Sequence, residues 1–184
     1  TLALAPAIRS DALVLSIAAG IPLGHLEAWL GVSRAIVRAM PNTPAQIGAG
    51  AAGLCANAAV TATQRALAAH LLGAVGVAVW LDDESLMDAV TALSGSGPAY
   101  IFLLLELLAA AGTALGLPAP LAAELAQATV EGAARLAREA GTPPAELRRQ
   151  VTSPGGTTER ALASFAADDL GGVVLRALAA ARDR

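Results

Sequence analysis

Hydrophobic and polar positions change their rhythm along this chain. Up to about Asp82, short apolar runs alternate with helix-like stretches. Ala12-Leu13-Val14-Leu15-Ser16-Ile17, Ala35-Ile36-Val37-Arg38 and Val77-Ala78-Val79-Trp80-Leu81 read as strands, because each is short, apolar and bounded by Gly or polar residues. Between them, Pro22 opens a short helix that Gly31 closes. Thr61 caps a further helix running to about Leu72. Only a helix-like stretch, Leu2 to Ser10, precedes the first strand. A compact sheet usually has about 4–6 strands, so three strands read as one end of a larger α/β unit.

Beyond Asp82 the pattern is helical. Glu84 to Leu93 forms one helix, and Ser94-Gly95-Ser96-Gly97-Pro98 breaks it. Ala99 to Leu115 is almost entirely apolar, which predicts a helix covered on all sides. Pro118 and Pro120 restart the chain in a helix that continues to Ala140 and stops at Gly141. Pro143-Pro144 opens a short helix to about Gln150, another begins near Thr158, and Gly171-Gly172 precedes the last. The expected organisation is an α/β region over 1–82 and an all-helical region over 83–184.

Composition sharpens this picture in three ways. The chain is 55% hydrophobic but only 3% aromatic, so its core must be built from many small aliphatic contacts. An apolar excess of this size suggests an obligate interface with a second copy. The net charge of −3 and the lack of a basic run argue against nucleic-acid binding. The apolar stretch 99–115 falls short of the ~20 residues a membrane span needs and carries Glu106 at its middle, so no membrane partner is expected. The chain opens on Thr1 without a basic leader. The single cysteine, Cys55, excludes an internal disulfide and reads as an inert core thiol in a reducing cytoplasm.

Three stretches carry candidate chemistry. In Ser153-Pro154-Gly155-Gly156-Thr157-Thr158, two glycines expose backbone N–H groups just before a helix, which with the helix dipole make an anion site. The same residues also fit an ordinary capped helix start. Leu93-Ser94-Gly95-Ser96-Gly97-Pro98 places small residues at another helix start, as a wall for a small ligand or a plain helix corner. Arg38-Ala39-Met40-Pro41-Asn42-Thr43-Pro44 follows a strand, at the edge where open α/β sheets bind ligands, or is a rigid turn set by two prolines. His25 and His70 lie away from these stretches, and no His/Cys/Asp/Glu spacing suggests a metal.

Taken together, Ser-Ile-Ala-Ala-Gly at 16–20, Arg-Ala-Met-Pro-Asn-Thr-Pro at 38–44, Ser-Gly-Ser-Gly-Pro-Ala-Tyr at 94–100 and Ser-Pro-Gly-Gly-Thr-Thr at 153–158 resemble pyrroline-5-carboxylate reductases, in order and in spacing. The resemblance implies the C-terminal part of a Rossmann-type dinucleotide-binding domain over 1–82. An all-α dimerisation and substrate-binding domain would follow over 83–184. It implies reduction of 1-pyrroline-5-carboxylate to L-proline with NADPH or NADH, by a homodimer or larger homo-oligomer in the cytoplasm. By carry-over, Thr158 donates to the ring nitrogen as the catalytic residue. Ser153, Gly155, Gly156 and Thr157, with Ser94, Gly95 and Ser96, bind the substrate. Ala18, Ala19, Gly20, Met40, Asn42 and Thr43 flank the nicotinamide end of the cofactor. The family's Gly-rich fingerprint and first strands would precede Thr1.

Reducing a C=N bond needs a hydride donor, orientation and a proton at nitrogen. A protonated imine is already electrophilic, so the protein's share is mainly positioning. That suits a chain with no paired carboxylates and no Ser/His/Asp set. Two other readings use the same residues: a non-catalytic helical oligomerisation module, or another imine or 2-hydroxy-acid reductase of the same two-domain plan.

Overall fold

The computed structural model describes residues 5–184. The part of the expected 2–10 helical stretch before Ala5 lies outside the described residues, and Ala5–Ala7 forms a single 3-10 turn. The chain forms two compact units. One reaches Pro98 and takes in Leu178–Arg184, and the other is Ala99–Ala177.

The first unit is built from two βαβ units. β1 (Val14–Ser16), α1 (Leu23–Leu30) and β2 (Ile36–Met40) form the first, with β1 and β2 parallel. β3 (Gly50–Ala56), α2 (Ala62–Gly73) and β4 (Gly76–Trp80) form the second, again parallel. The two units join through an antiparallel β2–β3 pair with Met40 opposite Gly53, giving the order β1-β2-β3-β4. β3 corrects the expectation of three strands. Its sequence, Gly-Ala-Ala-Gly-Leu-Cys-Ala, lacks the β-branched and aromatic side chains that mark a strand. It forms because it lies between two partners.

Alternation along β2 and β3 sends side chains to both faces. Ile36 and Cys55 pack with Leu23, Leu26, Leu30 and Met87 on one side. Val37, Ala39 and Leu54 pack with Ala68 on the other. Ile36, Val37, Leu54 and Met87 are the largest fully buried side chains, each contributing about 1.5–3 kcal/mol of apolar burial. α2 begins with the expected Thr61 cap, completed as a capping box. The Gln64 N–H donates to Thr61 Oγ1 at 3.2 Å, and the Thr61 N–H donates to Gln64 Oε1 at 3.0 Å.

A 3-10 turn at Glu84–Leu86 leads into α3 (Met87–Val90). The break expected at 94–98 is absent. Thr91–Gly95 is a π-turn, the Ser96 N–H donates to Thr91 O at 2.8 Å, and the helix resumes as α4 (Gly97–Ala114). Pro98 is the physical reason: its ring displaces the carbonyl four residues back, and a wider turn absorbs the clash.

The second unit is helical: most of α4, then α5 (Ala119–Ala140), α6 (Pro144–Gln150), α7 (Thr157–Ala167) and most of α8 (Leu170–Arg182). Gly171-Gly172 lies inside the first turn of α8 and not ahead of it. Asp169 makes the start instead, at φ 53° with its Oδ1 accepting the Gly172 N–H at 3.1 Å. Among the described residues of this unit only Ala122 and Ala126 are buried. α4, expected to be covered on all sides, buries no residue within the chain, and Phe102 and Leu107 are more than half exposed. Its cover must come from outside the chain.

Candidate functional site

β1 and β2 are parallel, so their carboxyl ends share one edge of the sheet, where sheets of this kind take ligands. Beyond Ser16, the residues Ala18, Ala19 and Gly20 are exposed and present no side chain larger than a methyl. Ala19 and Gly20 line a cleft of about 550 Å3 with Asp88 and Thr91 of the α3 region and with Ala181, Arg182 and Arg184.

Beyond β2, the loop at 40–43 meets the π-turn. Met40 packs beneath Gly95 so closely that a Cβ there would lie 2.7 Å from Met40 Cε. Asn42 heads the 3-10 turn Thr43–Ile47 but does not cap it. Its Nδ2 donates to Ser94 O at 2.9 Å, and its Oδ1 accepts the Ala51 N–H at 2.9 Å. To a ligand it can therefore offer one remaining amide N–H and its backbone. Thr43 is exposed. Ser94 spends its hydroxyl proton on Val90 O at 2.9 Å, and Thr91 does the same to Met87 O at 2.8 Å. Ser94 Oγ is left with lone pairs only, while the Ser96 side chain donates to no described residue.

An ion pair that the sequence did not announce stands beside this edge. Arg38 is 6% exposed, and its Nη1 donates to Glu84 Oε1 at 2.7 Å. The same oxygen accepts the Leu23 N–H at the start of α1, at 2.8 Å. Arg38 could be found as a charge inside an apolar strand, but its partner 46 positions away left no local trace.

In the second unit, the 153–158 loop turns by Gly156 N–H donating to Ser153 O at 3.0 Å, with Gly155 at φ +72°. That backbone conformation favours glycine. α7 then starts at Thr157 with Gly156 as its N-cap and no side-chain cap. The N–H groups of Thr157, Thr158 and Glu159 are the orphan donors of the first turn. One carboxylate is already at the loop: Glu159 Oε2 accepts the Gly155 N–H at 2.7 Å. Sequence reading passed over Glu159, although an acidic residue in the first turn is its signal.

Thr158 is placed unlike four other threonines of the chain. Thr91, Thr113, Thr129 and Thr152 each donate the hydroxyl to the carbonyl four residues back. At the second position of α7 no helical turn precedes Thr158, and its hydroxyl donates to no described residue. Half-buried beside open backbone N–H groups, it is a free donor next to an anion-seeking loop.

Cys55 is buried, and burial, with Glu84 adding to it, pushes its thiol pKa up, as suits an unreactive core group. His25 stacks on Trp29 at 5.9 Å. Among the described residues no group of three or more His, Cys, Asp or Glu is placed to hold a metal ion.

Residues 84–184 match the family model described as pyrroline-5-carboxylate reductase dimerisation. The pyrroline-5-carboxylate reductase of Pseudomonas aeruginosa is 56% identical over 182 residues, which cover 99% of this chain and 67% of the relative. That of Pisum sativum is 43% identical, over 100% of this chain and 66% of the relative. The solved structure of a pyrroline-5-carboxylate reductase from Coxiella burnetii superposes with a TM-score of 0.96 at 44% identity, over 100% of this chain and 68% of that one. A Plasmodium falciparum pyrroline carboxylate reductase, crystallised with NADP bound, gives 0.85 at 33% identity, over 93% and 65%. The chain spans about two thirds of the length of these relatives.

Proposed function

Since this chain belongs to the pyrroline-5-carboxylate reductase family, we propose that it forms the substrate-binding and dimerising part of an enzyme that reduces 1-pyrroline-5-carboxylate to L-proline. Residues 1–82 serve as the C-terminal part of its dinucleotide-binding domain and 83–184 as its helical domain. The observation that carries this reading is the start of α7. A free threonine hydroxyl stands beside three orphan N–H groups and a glycine loop that already holds a carboxylate.

At the loop of Ser153, Gly155, Gly156 and Thr157, the substrate's carboxylate meets the open N–H groups of the first turn of α7 and takes the place of Glu159 on the Gly155 N–H, favoured by the helix dipole. Thr158 Oγ1 hydrogen-bonds the ring nitrogen, whose proton comes from solvent, while the adjacent carbon takes the hydride. Ser94, Gly95 and Ser96 are further substrate-binding residues, small enough to let a ligand approach the backbone. Ala18, Ala19 and Gly20, with Met40, Asn42 and Thr43, suit the nicotinamide end of the cofactor. The exposed backbone at 18–20, bare of bulky side chains, fits a planar ring laid against the carboxyl ends of β1 and β2. When bound, the nicotinamide, from NADPH or NADH, supplies the hydride. The enzyme works as a homodimer or larger homo-oligomer in the cytoplasm.

The test compares two proteins. The complete enzyme carrying this chain should reduce 1-pyrroline-5-carboxylate, followed by nicotinamide absorbance with NADPH and with NADH in parallel. This chain alone should show no turnover, because about a third of its relatives' length is not in it. An inactive complete enzyme refutes the proposed reaction, and a fully active fragment refutes the division of labour.

A further inference from the structure

We propose that Asn42 is a positioning residue that locks the cofactor-side loop at 40–43 to the substrate-side turn at 94–96. This rests on the roles given to those segments above. Both amide ends of Asn42 are engaged, by Ser94 O and by the Ala51 N–H, each at 2.9 Å and part-buried. The bond to Ser94 spans 52 residues of sequence, so it holds two distant segments in register.

Three further features converge on the same contact. Pro98 has no N–H, so the Ser94 carbonyl lacks the helical donor that residue 98 would normally supply and is left for Asn42. The π-turn gives the helix the extra residue that lets this carbonyl turn aside, closed by the Ser96 N–H on Thr91 O. Gly95 has no side chain, and Met40 fills that space from below. The acceptor, the space beneath the turn and the wider turn all serve one strut. The Ala51 bond anchors its other end at the start of β3, inside the sheet. Hydride transfer is steep in distance and angle, so a strut between the two walls acts on the reaction step more than on either ligand's binding.

The test is Asn42→Asp in the complete enzyme. The replacement is isosteric and keeps an acceptor for the Ala51 N–H, but turns a carboxylate oxygen onto the Ser94 carbonyl. Amide hydrogen exchange over residues 91–97 reads the strut without reference to turnover, and the Ser96 N–H should exchange faster in the variant. kcat should fall by roughly 10- to 100-fold, as for one buried hydrogen bond lost and some repulsion added. KM for the imine and Kd for the nucleotide should stay within a few-fold of the parent. The primary isotope effect with 4-deuterated cofactor should grow as hydride transfer becomes limiting. Unchanged exchange at 91–97 overturns the strut. Faster exchange with weaker nucleotide binding and an unchanged kcat overturns the positioning role and makes Asn42 a ligand contact. A parent enzyme that fails to reduce the imine overturns the reaction assigned above, and the positioning role with it, while the exchange result still decides whether the strut exists.

Discussion

Thr158 differs from the mid-helix threonines Thr113 and Thr129 in what stands before it. In mid-helix a threonine hydroxyl finds a carbonyl one turn back, as Thr113 and Thr129 do, and is lost to chemistry. At the second position of α7 no such turn exists and the donor stays free. The sequence showed this position as a Thr-Thr pair behind two glycines, equally readable as a cap. The structure shows α7 starting without a side-chain cap. Thr158→Ala in the complete enzyme should lower kcat/KM by roughly 5- to 150-fold, equivalent to about 1–3 kcal/mol for one hydrogen bond lost in a dry site. The loss should fall in kcat if the bond strengthens as hydride arrives and electron density builds on the nitrogen, and in KM if it only holds substrate. Gly156→Val serves as the contrast. A side chain there would crowd Ser153 O, 3.0 Å from the position of its first carbon, and should raise KM through the carboxylate loop. Steady-state kinetics on both variants separate the roles, and a parental Thr158→Ala would reduce its hydroxyl to scenery.

Elements with strong local signals were legible, and those fixed by distant partners were not. α2 could be read from Thr61 because its capping box is written within four residues, Thr61 to Gln64. Thr61→Ala should cost about 1 kcal/mol of stability, measured as a drop in the denaturation midpoint with an unchanged slope. No change at all would mean that α2 is held by Ala68 and Leu72 packing alone. β3 stayed hidden because glycine and alanine carry almost no strand preference, and burial between β2 and β4 decides it. The π-turn was misread as a break because Gly95-Ser96-Gly97-Pro98 is the composition of a corner. What keeps it helical is a five-residue hydrogen bond that no propensity scale contains. The candidate site divides in the same way. Its motifs could be found as strings, whereas the Asn42–Ser94 and Arg38–Glu84 links arise only when strings 46 to 52 residues apart meet.

The helical unit cannot be accounted for by its own contacts. Two alanines are its only buried described residues, while Phe102, Leu103 and Leu107 of α4 each stand more than half exposed. A soluble protein seldom leaves so continuous an apolar surface without a use for it. The 84–184 match to a family model described as dimerisation supports the proposal of a second copy as that cover. The apolar excess of the composition pointed here from the start, and the unbroken apolar run at 99–115 pointed to the helix. Light scattering at micromolar concentration should report a dimer or larger. Leu104→Glu should dissociate it or unfold it, because an unpaired buried charge costs several kcal/mol. A folded monomer of the parent, or a Leu104→Glu variant that stays folded and paired, would count against the interface.

A protomer whose helical half encloses two alanines has little internal reason to hold its shape in solitude. Its folding and its pairing are then one equilibrium, and mass action enters the stability itself. The equilibrium constant of unfolding carries units of concentration, and the melting midpoint climbs with the logarithm of the protein present. Dilution acts on such a molecule as a denaturant does, and abundance in the cell sets how much of it is folded.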